Sequence, residues 1–166
     1  MKRILLVLSA TILISPATFA QTRGRSTAPR PKAADAEAQR INQVRTTGAN
    51  RVAEQIKLLA RFIYILGGTN ESIKRDEIDP DAAKKSPTAK NQVRIGITGF
   101  REGLDKLEID FRGTPELQPY YIKLAGVAAG AATAEQQAIN NQFDAAGRSL
   151  LLVVNRLADV LVVMRM

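Results

Sequence analysis

The chain has no cysteine, no histidine and no tryptophan. Without cysteine there is no disulfide, no thiol nucleophile, no thiolate zinc site and no lipid attached to an N-terminal cysteine. Without histidine there is no Ser-His-Asp triad, no HExxH zinc site and no Glu-x-x-His di-iron bundle. Aromatic residues are only 5% of the chain, and no run of alternating β-branched residues or Asn-Gly or Asp-Gly hairpin signal appears. What remains for chemistry is carboxylates, lysines and hydroxyls, in no motif that fixes a reaction. The residues suggest no cofactor and no metal, and the expectation is a protein that is not an enzyme.

What is present is a 45% apolar fraction in 166 residues, enough for one domain with a packed core. The first twenty residues, MKRILLVLSATILISPATFA, read as an address. Lys2 and Arg3 precede an apolar run from Ile4 to Ile14, Ser15-Pro16 breaks it, and Thr18 and Ala20 are small residues where a signal peptidase reads. That order predicts a secretory signal peptide over 1–20, cleaved after Ala20, and a product exported to the periplasm or the extracellular space. The run is too short for a spanning helix, so no transmembrane span is expected in the mature chain.

Division of the chain changes what its charge means. The whole sequence carries 24 basic and 16 acidic residues, +8. Lys2 and Arg3 leave with the signal, so the mature product has 22 − 16 = +6. Residues 21–33 hold Arg23, Arg25, Arg30 and Lys32 with no acid and read as a disordered basic tail. The single domain expected over 34–166 is then near balance at 18 − 16 = +2. The basic excess thus sits outside the folded body, and together with export this argues against nucleic acid as a partner.

From Ala34 onward the period is helical. Ile41, Val44, Val52, Ile56, Leu59, Ile63 and Leu66 recur at steps of three and four, with Gly48 in one slot, and Gly67-Gly68 is expected to end this helix. Ser86-Pro87 opens the next, whose stripe is Val93, Ile97, Phe100, Leu104, Leu107 and Phe111. Gly113 closes it and Thr114-Pro115-Glu116 caps a third helix with a thinner stripe of Leu117, Tyr121, Leu124, Ala128, Ala131, Ala138 and Ile139. Asn140-Asn141 breaks that pattern and Asn141 is expected to cap a fourth, with Phe143, Ala146, Leu150, Val153, Leu157, Val160 and Met164 inward. A rival division breaks at Gly130, with Thr133 and Gln136 as a capping box. The fold class expected is all-α, an antiparallel up-down four-helix bundle with helices at about 35–66, 87–111, 115–139 and 142–164.

Six features merit weighing as sites. The last helix has more apolar surface than one core face needs: Leu151 and Val162 flank its stripe, and Leu152 and Val163 project nearly opposite to it. Residues 67–86, a second copy of the protein or a lipid-like ligand are the possible covers. Gly96, Gly99 and Gly103 line one flank of the second helix, and Gly126 and Gly130 lie in the third; together they suggest a tight seam, or a pocket for a small apolar ligand between those two helices. Glu135 projects onto the third stripe and calls for a cation, with Arg94 or Lys90 as the expected partner. The acids Asp76, Glu77, Asp79 and Asp81 lack the Gly and Glu of a calcium loop and, bracketed by lysines and Arg75, read as a solvated loop. Asn70-Glu71-Ser72 is a glycosylation sequon, and Tyr120-Tyr121 an aromatic pair, half core and half exposed.

The functional expectation is an exported, non-enzymatic helical bundle acting through protein-protein contact, with an unknown protein partner or as a homo-oligomer. The alternative is the small apolar-ligand carrier at the glycine seam.

Overall fold

The computed structural model describes residues 33–76, 78 and 86–166. The signal, nearly all of the basic tail, and Glu77, Asp79 and Asp81 of the acidic group lie outside the described residues. Five helical segments follow one another: α1 (Ala33–Asp76), α2 (Ser86–Gly113), α3 (Gln118–Leu124), α4 (Val127–Ile139) and α5 (Phe143–Arg165). No strand occurs among the described residues, and the all-α class is as expected. None of the described helices is long and apolar enough to cross a membrane.

One core joins all five segments. The α2 stripe is buried at Val93, Ile97, Leu104, Leu107 and Phe111, and the α5 stripe at every position from Phe143 to Met164. These meet Val52, Leu59, Leu66 and Ile73 of α1 and Val127, Ala131, Ala134 and Ala138 of α4. Each fully buried aliphatic side chain contributes about 1.5–3 kcal/mol. With no cross-link available, this burial is what holds the domain together. α1 packs on α5 and α2, α4 packs on α2 and α5, and α3 touches α2 and α5.

Polar contacts pin the ends of these helices. In the first third of α1, Arg45 Nη2 donates to the Met164 carbonyl at the end of α5 (3.4 Å), and its guanidinium lies 5.6 Å from the Tyr120 ring centroid. Arg40 pairs with Glu116 at 2.6 Å, and Arg51 pairs with Asp110 near the end of α2. At the far end of α1, buried Asn70 donates to Asp144 Oδ1 (2.6 Å) and Lys74 pairs with Asp144 Oδ2 (3.1 Å). Arg94, early in α2, donates to the carbonyls of Ala138 and Ile139, the last residues of α4.

Two boundaries and two caps differ from expectation. α1 does not stop at Gly67-Gly68 but runs on to Asp76. Two interior glycines cost roughly 1 kcal/mol each in helix propensity, but burial of Ile73 and the Asn70 and Lys74 contacts to Asp144 outweigh that cost. At about 1.5 Å per residue the helix is roughly 66 Å long.

The third expected helix, 115–139, is two segments. Its first turn starts at Gln118 with Pro119, and the chain breaks at Ala125-Gly126, where Gly126 adopts φ +92°. Gly130 is inside α4, and Thr133 Oγ1 donates to the Ala129 carbonyl instead of forming a capping box.

The break near Asn140 occurs as expected, but Asn141 does not cap α5. It takes φ +60°, and its side-chain oxygen accepts a hydrogen bond from Arg94 (3.1 Å), leaving Gln142 at the cap position without a side-chain bond. Ser86 likewise makes no capping bond: its hydroxyl is buried with no hydrogen-bond partner among the described residues.

Candidate functional site

The outer face of α5 leaves several large apolar side chains open to solvent. The inward stripe fixes the rotation of the helix, and that rotation turns Leu151, Leu152 and Val162 outward at 48%, 69% and 54% exposure. Val163 is half-buried rather than outward-facing. Of the covers weighed from the sequence, residues 67–76 belong to α1, which packs on another flank of α5 and brings Leu66 against Gly147 (3.6 Å to a built Cβ). Leu151 and Leu152 stay open beside it. Residues 79–85 lie outside the described residues. Between these apolar side chains runs a polar strip of Arg148, Asn155 and Asp159, all exposed. Neither Arg148 nor Asp159 forms an ion pair among the described residues, whereas Arg40, Arg51, Lys74 and Arg101 all do.

A shallow groove of about 180 Å³ adjoins this face between α4 and α5, lined by Gly126, Val127, Gly130, Leu152, Val153 and Arg156 among others. It exists because α4 carries glycine where a side chain would collide: a Cβ on Gly130 would stand 2.8 Å from Val153 Cγ2, and one on Gly126 would stand 3.0 Å from Arg156 Nη1. The two helices approach closely there.

The glycine seam between the second and third expected helices does not form. Gly96 faces α1, where a Cβ would meet Phe62 Cε2 at 2.6 Å; Gly103 looks toward Gln55 of α1 at 3.8 Å; Gly99 meets nothing within 4 Å. Gly126 and Gly130 face α5. The two glycine sets therefore serve different interfaces. Gly96 makes room for the Phe62 ring, which packs against Phe100 at 5.0 Å between centroids.

Glu135 is half-buried, as its place on the stripe implied, but Arg94 is not its partner. Arg101 Nε donates to Glu135 Oε2 (2.8 Å) and the Thr98 hydroxyl donates to Oε1. Arg94 is held by carbonyls at the end of α4, where the helix dipole favours a cation.

A second half-buried carboxylate was not singled out from the sequence. Glu108 Oε1 accepts the backbone N–H of Gly126 (3.0 Å) and of Ala128 (2.8 Å), capping α4 from a neighbouring helix. Its signal was available: a carboxylate on the α2 flank level with a glycine that has no side chain to cap its own helix. Both carboxylates are thereby committed to structural hydrogen bonds.

The remaining candidates resolve into local structure. Asn70 of the sequon is 6% exposed and bonded to Asp144, so its amide is not offered to solvent. Lys74 sits between Glu71 and Asp144, which raise its pKa above the ordinary lysine value, Glu71 more than Asp144. Tyr120 and Tyr121 are both half-buried against the core. Among the described residues no three acidic side chains gather as a metal site would require. Comparison with family models, with curated proteins and with solved structures finds no match to this chain.

Proposed function

We propose that this protein is an exported, non-enzymatic helical bundle that works through protein contact on the outer face of α5. In this reading residues 1–20 are a signal peptide removed after Ala20, residues 21–33 a basic leader, and residues 34–166 one domain. The four rods, with α3 and α4 sharing the third, are arranged up-down and antiparallel. The contacts of Arg45 with Met164, Asn70 with Asp144 and Arg94 with Ala138 support that arrangement, since each joins the earlier part of one rod to the later part of another.

The observation that carries the contact reading is the exposure of Leu151, Leu152 and Val162 on a helix whose opposite face already fills the core. A chain that needed α5 only for its own fold would gain solubility from polar residues there. The commitment of Glu108 and Glu135 to structural bonds supports the non-enzymatic part.

Two measurements test the reading. Expression of the full chain in a secreting host should yield an exported product whose mass corresponds to residues 21–166; retention of an uncleaved chain in the cytoplasm removes the export half. The exported protein should bind an apolar dye, and a Leu151→Asp/Leu152→Asp variant should lose that binding while keeping its helicity. A wild-type protein that elutes as a monomer and binds no dye removes the contact half.

A further inference from the structure

Resting on that contact reading, we propose that the partner on α5 is a second copy of this chain, paired antiparallel along α5 about a two-fold axis. The argument is charge complementarity on one strip of one helix. Arg148 and Asp159 are exposed, opposite in sign and unpaired among the described residues. They stand eleven positions apart, close to three turns, so at 100° per residue they share a strip only about 20° wide and are separated by roughly 16.5 Å.

An isologous contact places residue i against residue j and j against i. When two α5 helices cross antiparallel with the axis midway between these residues, Arg148 of each copy meets Asp159 of the other, and one interface contains the pair twice. Leu151, Leu152 and Asn155 then lie within about 4 Å of the axis along the helix. Four leucines come together at the centre, between the two ion pairs, and Val162 comes to lie along the aliphatic stem of the opposing Arg148. The leucines supply the attraction and the exposed ion pairs fix direction and register. A parallel arrangement would instead set Arg148 against Arg148 and Asp159 against Asp159, so the charges select the antiparallel one.

A contact made by one helix per copy is smaller than the roughly 1,200 Å² of a stable interface, so the dimer should be weak, with a dissociation constant in the micromolar range or above.

The test uses the processed full-length protein in sedimentation equilibrium and light scattering up to about 1 mM. The wild type is expected to form a monomer-dimer equilibrium that weakens with salt. Arg148→Asp sets like charges together twice, as does Asp159→Arg, and each should raise the dissociation constant about tenfold or more. The double variant Arg148→Asp/Asp159→Arg recreates both pairs with signs exchanged and should recover wild-type affinity within about threefold. Circular dichroism controls for folding.

A wild type that stays monomeric throughout overturns the inference, as does a dimer indifferent to either single reversal or not recovered by the double one. A monomer that nevertheless binds apolar dye through Leu151 and Leu152 overturns the second copy alone. One that binds no dye overturns the contact surface as well.

Discussion

Replacing Glu108 should reveal how the α3-α4 break is held. Gly126 opens α4 at φ +92° and has no side chain with which to cap its own helix. The cap is delivered by Glu108, whose Oε1 accepts from Gly126 N at 3.0 Å and Ala128 N at 2.8 Å. A hydrogen bond to a charged group contributes about 1.5–3 kcal/mol, and loss of a helix cap typically costs about 0.5–2 kcal/mol. Because the site is only half-buried, water partly replaces the lost acceptor in Glu108→Ala, and the net loss should be about 2 kcal/mol. Glu108→Gln keeps an acceptor oxygen but loses the charge at the helix N-terminus, for a loss of about 0.5–1 kcal/mol. Urea denaturation followed by far-ultraviolet circular dichroism measures both, and the alanine variant should also melt about 6–10 °C lower. Amide exchange at Gly126 and Ala128 should accelerate in the alanine variant beyond the global change. An alanine variant within about 0.5 kcal/mol of wild type would falsify this account of the break, and so would a glutamine variant as damaged as the alanine one.

Gly67→Ala, Gly68→Ala and Gly99→Ala place a methyl group in open space within helices and should each stabilise by about 0.5–1 kcal/mol in the same denaturation assay. In contrast, Gly96→Ala and Gly130→Ala, which press on Phe62 and Val153, should be less stable than Gly99→Ala by about 1–3 kcal/mol; equal effects at all five positions would refute the packing described. Arg40 sets a pH dependence. Its hydrogen bond is the main reason the Glu37 carboxyl is held below the ordinary range, and it adds to the stronger effect of Glu116's own backbone N–H on that residue. A carboxyl depressed in the folded state stabilises above its unfolded pKa, and that contribution disappears as pH falls through the folded value. The stability difference between wild type and Arg40→Ala should therefore be present at neutral pH and vanish between about pH 5 and pH 2. A difference that does not change with pH sinks the assignment.

The period of the apolar residues was enough to orient the helices but not to end them. On α2 and α5 the stripes read from the sequence are the buried ones, with Phe100 half-buried, because a heptad repeat names a face whatever lies opposite. Helix ends depend on neighbours. Gly67-Gly68 is a sound stop signal for an isolated helix, and it fails here because Asn70, Ile73 and Lys74 find the start of α5. The stop that does operate, Ala125-Gly126, looks interior in the sequence because alanine and glycine are also the residues of a close helix-packing surface. Its cap comes from Glu108, some eighteen residues away, outside the window in which caps are usually sought. Leu152 lies outward, as its place opposite the α5 stripe implies; Leu151 and Val162, on the flanks of that stripe, are exposed as well, whereas Val163, expected outward, is half-buried.

Partner assignment needs the register between helices as well as the face of each, and for Glu135 one residue carried that information. Lys90, Arg94 and Arg101 of α2 were all of the right sign to meet it. The carbonyl end of a helix attracts a cation, and the backbone acceptors of Ala138 and Ile139 engage Arg94. With that pair fixed, Glu135 lies one turn back along α4 and so reaches one and two turns further along α2, to Thr98 and then Arg101. The Asn140-Asn141 break already marked in the sequence where those carbonyls would be. Assigning the nearest α2 arginine to the helix end first, and to the carboxylate second, leaves Arg101 as the residue positioned to neutralise Glu135. The carbonyls at this helix terminus thus hold the nearest arginine, and the carboxylate is met by the second cation within reach.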